Sequence, residues 1–204
     1  MRARSGLLER HLVIFARFPQ AGRGKRRLAA GVGDVQAVRF SRARLAVLAA
    51  RLSRDPRWTT WLAVTPEGAG PWPRGLRVVG QSRGDLGARM GYVFETLPPG
   101  PVVIIGSDCP GVRAAHVADA FDALGGQRAV FGPAGDGGYW LVGLDWRGRK
   151  AVPFEGVRWS SEFALADTVA NADGLVAMVA TLDDVDNAED LARSPGWGRV
   201  VPGA

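Results

Sequence analysis

The sequence predicts an α/β fold in which a mostly parallel central sheet is flanked by helices. Two apolar runs, His11–Ala16 (HLVIFA) and Val102–Ile105 (VVII), indicate strands buried on both faces, because a half-exposed strand would alternate polar and apolar residues. Between them, Val35–Arg54 carries apolar residues at helical spacing. Strand, helix and strand in this order predict parallel strands joined by right-handed crossovers.

The remaining elements follow in chain order. We expect strands at Trp58–Val64, Leu76–Val79, Arg128–Gly132 and Tyr139–Leu144, helices at about Leu86–Leu97 and Val112–Leu124, and a last helix that is capped by Ser160 or Ser161 and runs to about Asn171. A chain of 204 residues is long enough for one domain with a full core, so we expect a single domain over residues 1–204.

Composition excludes several classes of protein. The hydrophobic content of 47% is ordinary for a globular protein, and one cysteine, Cys109, excludes an intrachain disulfide framework and a zinc site built from several cysteines. No apolar run approaches the roughly 18 residues of a membrane span, and the N-terminus lacks the apolar core of a signal peptide. We therefore expect a cytoplasmic protein without a membrane partner.

Positive charge is concentrated at the start of the chain. Residues 1–60 hold 14 of the 26 Lys and Arg residues but 3 of the 20 Asp and Glu residues. This asymmetry suits a site in which the first part of the chain binds phosphates and the later part binds a metal, although a general bias towards Arg also explains it. The aromatic residues do not alternate with basic ones as in nucleic-acid binders, so we expect no nucleic-acid partner.

The loop Arg17–Asp34 combines glycines with cations (RFPQAGRGKRRLAAGVGD). Glycines let backbone N–H groups turn towards an anion, and the cations neutralise it. It is not a Walker loop, because no Gly-Lys-Ser/Thr closes it. It is not a dinucleotide-binding fingerprint either, because its glycines have a different spacing. We predict a phosphate cradle, with a solvated basic turn as the alternative; its candidate substrate-binding residues are Arg17, Gly22, Lys25 and Arg27.

Asp108 follows the buried strand Val102–Ile105 in the sequence GSDCPG. Ligands of open α/β sheets bind at the carboxyl ends of the strands, and a carboxylate there suits Mg²⁺ or Mn²⁺ holding a diphosphate. Capping of the next helix is the alternative. Asp136, in an Asp-Gly-Gly turn, follows what should be a neighbouring strand, so both acids are candidate catalytic residues and metal ligands; a purely structural hairpin turn is the alternative for Asp136.

Further candidates follow other predicted strands. Gln81, Asp85 and Arg89 should lie at a helix start, where a diphosphate or base edge could bind, with a polar cap on a core helix as the alternative. Trp159 could form an aromatic wall for substrate or pack in the core. Gly137, Gly138 and Ser160 complete the substrate-binding candidates. Asp183, Asp184 and Asp186 form an acidic cluster that could be solvated, cap a helix or reach the metal.

Together these motifs resemble a family of bacterial proteins defined by a domain of unknown function, DUF2064, which is similar to the guanylyltransferase of cofactor F420 biosynthesis. The matching segments cover about residues 11–192, the expected core of the domain: FARFPQAGRGKRRLA, GDLGARM, IIGSDCPG, FGPAGDGGYWLVGL, GVRWS and LDDVDNAEDL. The resemblance implies the Rossmann-like fold of nucleotide-diphospho-sugar transferases (GT-A), a nucleotide at the basic loop and a divalent metal at Asp108.

Three positions depart from the family pattern, which commonly has Lys-Ala-Pro and then Lys-Thr-Arg-Leu where this chain has Arg17-Phe18-Pro19 and Lys25-Arg26-Arg27-Leu28. Arg17 stands where the family commonly has Lys, which replaces a point charge by a planar fork. Arg26 replaces a hydroxyl residue and so removes a group that could contact phosphate.

We therefore expect a metal-dependent transferase that uses a nucleotide-sugar donor and a small-molecule acceptor. Nucleotidyl transfer from a nucleoside triphosphate to a small phosphorylated acceptor is the alternative, because the same cations and metal would stabilise either reaction. A non-catalytic nucleotide-binding protein is a third possibility.

Overall fold

In the computed structural model, residues 8–20 and 26–183 are described, with only the backbone of Arg26 and Arg27. The elements in order are β1 (His11–Arg17), α1 (Arg26–Val32), α2 (Asp34–Leu52), β2 (Thr59–Thr65), β3 (Arg77–Gly80), α3 (Leu86–Thr96), β4 (Val102–Gly106), α4 (Ala114–Ala123), β5 (Ala129–Pro133), β6 (Tyr139–Leu144), a 3-10 turn (Gly148–Lys150), α5 (Ala164–Asn171) and β7 (Val176–Met178).

The described strands form one sheet in the order β3-β2-β1-β4-β6-β5-β7. Strands β1 to β4 are mutually parallel, and β7 is parallel to β5. Strand β6 is antiparallel to both β4 and β5, because the short link between β5 and β6 leaves no room for a crossover helix. The predicted α/β fold with a mostly parallel sheet is confirmed.

Helices cover both faces of the sheet. On one face α2 and α4 pack against β1 and β4 in a cluster that includes Leu48 and Phe121. On the other face α3 and the segment around Phe154 pack against the sheet, with Phe94 fully buried. All four apolar residues of β4 are at most 3% exposed, as expected for a strand covered on both sides. No helix in the described part of the chain is both long and apolar enough to cross a membrane.

Two predicted boundaries are wrong. The segment predicted as a continuous loop, Arg17–Asp34, contains helix α1, whose Leu28 is fully buried and packs with Phe40 of α2. Helix α5 starts at Ala164 rather than directly after Ser160 or Ser161, and no side chain caps it. The Ser161 hydroxyl instead donates to the Arg158 carbonyl (2.6 Å), forming a turn before the helix.

Candidate active site

The carboxyl ends of β1 and β4 bring Arg17 and Asp108 to the same edge of the sheet. These strands are parallel neighbours, with Phe15 opposite Gly106. Arg17 is the last residue of β1, and Asp108 follows β4 by two residues, so both lie at the carboxyl ends of neighbouring parallel strands. Adjacent strands are about 4.8 Å apart, which brings a cation and an anion within reach of one ligand.

The Asp136 turn lies at this edge as well. Ile105 pairs with Leu141, so β6 begins beside the point where β4 ends. The prediction that Asp108 and Asp136 follow directly neighbouring strands is wrong, because β6 lies between β4 and β5. The antiparallel course of β6 nevertheless returns the turn to the edge where Asp108 lies. If both carboxylates belong to one metal site, they should lie within about 10 Å of each other, which stays a prediction.

The backbone of the Asp136 turn is tightly held. The Gly138 N–H donates to Asp136 Oδ1 (2.9 Å), and the Leu165 N–H of α5 donates to the Gly137 carbonyl (3.0 Å). Gly137 has a φ of +83°, and a Cβ atom there would lie 2.2 Å from the Glu162 carbonyl oxygen. The turn is therefore fixed against the start of α5, with one Asp136 oxygen used to close it.

Asp183 joins the two acidic segments. Its Oδ1 accepts from the Gly135 N–H (3.2 Å), and its backbone carbonyl accepts from the Cys109 thiol (3.2 Å). The segment around Asp183 thus crosses from the residue after Asp108 to the residue before Asp136. Its carboxylate therefore binds a backbone N–H, which gives one member of the predicted acidic cluster a structural role. Asp184 and Asp186 lie outside the described residues.

The donor set fits a hard cation that shares its ligands with a substrate. Over residues 8–20 and 26–183, no three His, Cys, Asp or Glu residues are grouped to hold an ion. Mg²⁺ is usually bound through one or two carboxylates together with substrate phosphates and water, rather than in an all-protein cage. Asp108 and Asp136 provide carboxylates of that kind at the sheet edge.

Gln81 positions Arg89. Gln81 is 1% exposed, and its Nε2 donates to the carbonyls of Ala16 (3.1 Å) and Ala63 (2.7 Å) in β1 and β2. Its Oε1 accepts from Arg89 Nη2. The predicted direct contact between Gln81 and substrate is corrected by these bonds, because both ends of the amide are bound to protein partners.

Arg17 and Arg89 form a cationic pair. Burial and the charge of Arg17 lower the pKa of Arg89, whose guanidinium lies 5.5 Å from the centre of the Phe15 ring. Its Nε–H is buried without a hydrogen-bond partner among the described residues, and no salt bridge in that part of the chain involves either arginine. Two neighbouring guanidinium groups of this kind favour an anion.

The start of α3 holds two further candidates, Asp85 and, through Gly87, Trp159. The Asp85 carboxylate accepts from the Ala88 N–H (2.8 Å), so the alternative interpretation of Asp85 as a helix cap is confirmed. Trp159 is half-buried and packs over Gly87, where a Cβ atom would lie 2.8 Å from the indole ring. Its indole N–H has no partner among the described residues. Ser160 is exposed with a φ of +59°.

The remaining substrate-binding candidates belong to the basic loop. Gly22 and Lys25 lie outside the described residues, as does the side chain of Arg27. Arg44 is not singled out by the sequence, yet it is 8% exposed, and burial lowers its pKa. It is one of five arginines between the apolar residues of Val35–Arg54, and the sequence carries no signal that separates it from the others.

Comparison with solved structures identifies the fold. A protein from Desulfovibrio desulfuricans G20, provisionally described as a nucleotide-diphospho-sugar transferase, is 27% identical, with a TM-score of 0.81 over 89% of this chain and 84% of that one. The 2-C-methyl-D-erythritol 4-phosphate cytidylyltransferase of Thermus thermophilus is 18% identical (TM-score 0.56; 95% and 100% covered). Glucosyl-3-phosphoglycerate synthase of Mycobacterium tuberculosis, solved with Mn²⁺ and UDP, is 12% identical (TM-score 0.55; 90% and 74% covered).

These neighbours are transferases, and they share the Rossmann-like fold of nucleotide-diphospho-sugar transferases with this chain. No curated protein matches the sequence significantly. The sequence pattern of one family, described as an uncharacterised protein conserved in bacteria (DUF2064), matches residues 39–161, which is more than half of the chain. The protein therefore belongs to the DUF2064 family.

Proposed function

We propose that the protein is a metal-dependent transferase that takes a nucleotide-sugar donor and transfers the sugar to a small-molecule acceptor. The observation that carries this proposal is the shared edge of the sheet at which β1 and β4 end and β6 begins, since Arg17, Asp108 and the Asp136 turn belong to these strand ends. Cations beside carboxylates at the carboxyl ends of strands suit a diphosphate shared with a metal ion. The likeness to the Desulfovibrio protein supports the same class of donor.

Each group has a role in this proposal. Arg17 and Arg89 bind the phosphates, together with Gly22, Lys25 and Arg27 of the basic loop. Asp108 and Asp136 hold Mg²⁺ or Mn²⁺, which when bound neutralises negative charge on the departing diphosphate. One Asp136 oxygen closes the turn, and the second is directed to the metal or to an acceptor hydroxyl as a general base.

The acceptor binds on the α5 side of the edge. There the half-buried ring of Trp159 packs over Gly87 at the start of α3, and Ser160 and the Gly137–Gly138 backbone are the further groups that we assign to the acceptor. Trp159 offers an apolar ring with a buried N–H donor, a combination that suits a sugar or another small polar molecule.

Nucleotidyl transfer is the second candidate. The observation that favours it is the pair Arg17 and Arg89, which adds two cations to those of the basic loop. A nucleoside triphosphate and a phosphorylated acceptor carry more negative charge than a nucleotide sugar, and pyrophosphate would leave.

Metal-dependent nucleotide binding is tested with Asp108→Asn. Thermal-shift and calorimetric titrations with nucleoside diphosphates, triphosphates and nucleotide sugars, with Mg²⁺, Mn²⁺ or chelator, should show metal-dependent binding to the wild type. Asp108→Asn should lose that dependence with little change in folding stability, because an accessible ligand position contributes little to the core. Asp119→Asn, an exposed acid on α4, is the matched control. Unfolding of Asp108→Asn together with metal-independent binding by the wild type would make Asp108 a structural cap.

Product analysis separates the two reactions. Incubation of the best-bound nucleotide sugar with pooled small acceptors should release a nucleoside diphosphate. Release of pyrophosphate from a triphosphate, and none of nucleoside diphosphate from any nucleotide sugar, would select the second candidate.

A further inference from the structure

After β7 the chain continues along the edge of the sheet that holds the candidate site. Residues 179–183, which we call the strap, follow β5 beyond its pairing with β7. The Val179 N–H donates to the Phe131 carbonyl (2.9 Å), and the Leu182 N–H donates to the Pro133 carbonyl (3.1 Å). The strap is therefore held along the end of β5 by backbone hydrogen bonds.

The middle of the strap is held by side chains. The indole N–H of Trp140, a residue that is 4% exposed, donates to the Ala180 carbonyl (2.9 Å). Leu182 packs against Gly111, where a Cβ atom would lie 3.3 Å from Cδ2 of Leu182. The strap thus reaches from β5 and β6 to the segment that follows Asp108.

The strap ends at Asp183, which contacts both acidic segments. The Gly135 N–H donates to Asp183 Oδ1 (3.2 Å), and the Cys109 thiol donates to the Asp183 carbonyl (3.2 Å). Gly135 precedes Asp136 in the chain, and Cys109 follows Asp108. One residue therefore bonds to an immediate neighbour of each candidate metal ligand.

We propose that Asp183 is a positioning residue, which fixes the Asp136 turn against the Asp108 segment by accepting hydrogen bonds. The acting group of its side chain is the acceptor Oδ1 rather than the negative charge. This inference rests on the proposed function and deepens it, because the proposed function assigns Asp108 and Asp136 to one metal site and Asp183 sets how the two segments lie relative to each other.

The physical basis is the geometry that a shared ion requires. Two carboxylates on separate segments hold one ion well only if the separation between those segments is fixed. Loss of a residue that orients metal ligands typically lowers metal affinity about 10- to 100-fold. Asp183 is exposed, and one hydrogen bond of an exposed side chain contributes little to global stability. Removal of this side chain should therefore affect the site far more than folding.

The first test needs no metal and measures each acidic segment separately in the full-length protein. Amide hydrogen exchange of Gly138, whose N–H is bonded to Asp136 Oδ1, reports on the turn. The rate at which a thiol reagent labels Cys109, which is the single cysteine of the chain and is 2% exposed, reports on the Asp108 segment. Asp183→Ala should raise both rates about two- to tenfold, the factor expected for one lost hydrogen bond.

Two matched variants make this result specific. Asp183→Asn keeps an oxygen acceptor without the negative charge, so both rates should equal those of the wild type. Asp173→Ala removes an exposed acid before β7 and should also leave both rates unchanged. Equal rates in Asp183→Ala and Asp173→Ala, or a failure of Asp183→Asn to restore the wild-type rates, would overturn the inference. A large fall of the urea midpoint in Asp183→Ala would do so too, because Asp183 would then act on folding as a whole.

The second test uses Mn²⁺, with and without inorganic pyrophosphate, and follows Mn²⁺ binding by electron paramagnetic resonance. Asp183→Ala should weaken Mn²⁺ binding about tenfold or more, whereas Asp183→Asn should bind within about twofold of the wild type. Unchanged affinity in Asp183→Ala would overturn the inference. Equal weakening in both variants would also overturn it, because Asp183 would then be a metal ligand, while the proposed function would stand.

Failure of the proposed function has a different signature. In that case the wild type would bind no Mn²⁺ with or without pyrophosphate. The exchange of Gly138 and the labelling of Cys109 require no metal, so these two rates would still decide whether Asp183 fixes one segment against the other.

Discussion

The buried guanidinium of Arg149 binds backbone carbonyls inside the protein. It is 5% exposed, and its guanidinium donates to the carbonyls of Phe94 (2.6 Å), Leu97 (2.7 Å), Pro98 (2.7 Å) and Gly100 (2.8 Å). These carbonyls belong to the end of α3 and to the link into β4, which have no further helical N–H groups to bond. Burial lowers the pKa of Arg149 to about 10, so it stays charged at neutral pH.

Arg149→Met should therefore lower the free energy of unfolding by ~3–5 kcal/mol, because four buried carbonyls lose their donor. Urea denaturation followed by circular dichroism gives the value. Arg149→Lys should recover only part of it, since an ammonium lacks the planar fork. Arg147→Met, an exposed neighbour, should change stability by less than about 0.5 kcal/mol. A small effect of Arg149→Met would mean that water replaces the guanidinium.

At the scale of elements, the Asp136 turn depends on its contact with the start of α5. Gly137→Ala adds a Cβ atom 2.2 Å from the Glu162 carbonyl oxygen at a φ of +83°. The turn must then move away from α5, and we expect a loss of about 1–3 kcal/mol in stability and weaker binding at the site.

Gly126→Ala is the matched control, because nothing lies within 4 Å of a Cβ atom at Gly126. Urea denaturation and calorimetric titration with the ligand found for the wild type measure both effects. Equal behaviour of the two variants would show that the turn is free to shift.

Strands β1 to β6 are predictable because their local sequence shows their burial, whereas the three-residue strand β7 is not predicted. Val102–Ile105 is continuously apolar and lies at the centre of the sheet, and Tyr139–Leu144 follows a turn that the Asp-Gly-Gly sequence favours. Helix α1 escapes prediction because it is seven residues long and contains Gly31, so its helical period is weak. Its stability comes from Leu28 packing on α2, a contact that local sequence does not encode.

Candidate-site residues that follow strands are predictable from the sequence. The environment of the buried polar residues is not. Asp108 and Asp136 follow strands, so the fold alone brings them to one edge. The sequence predicts Gln81 in contact with substrate, but its carbonyl partners are 65 and 18 positions away in the chain. Arg44 is an arginine like its exposed neighbours on α2, and local sequence does not encode the tertiary packing that buries it.

At the scale of the whole molecule, stability should fall on mild acidification because of His11. His11 is fully buried in β1, and its Nδ1 accepts a hydrogen bond from the Trp61 indole (3.3 Å). Burial lowers its pKa below the ordinary 6.5, and the charges of Arg149 and Arg77 lower it further, against opposing contributions from Glu9 and the Pro99 backbone. Protonation therefore opposes folding.

The sign of the pH effect follows from the protonation of His11 in the folded and in the unfolded chain. Above pH 6.5, His11 is neutral in both the folded and the unfolded chain and contributes no pH dependence. As the pH falls through 6.5, the unfolded chain takes up a proton that the folded protein excludes, so the free energy of unfolding decreases until the pH reaches the lowered pKa. Hydrogen bonds from Arg158 lower the pKa of Asp167 from its ordinary 3.8 to about 2, so this carboxylate changes the stability at a lower pH than His11 does.

We therefore expect urea denaturation to give a lower unfolding free energy at pH 5.5 than at pH 7.5, within the range of about 5–8 in which histidine titrates. His11→Gln keeps an acceptor for the Trp61 indole but cannot be protonated, so its stability should change much less between these two values. His116→Gln, at the other histidine of the chain, should keep the slope of the wild type. If His11→Gln retains that slope while His116→Gln loses it, the acid sensitivity belongs to α4 and not to the buried end of β1.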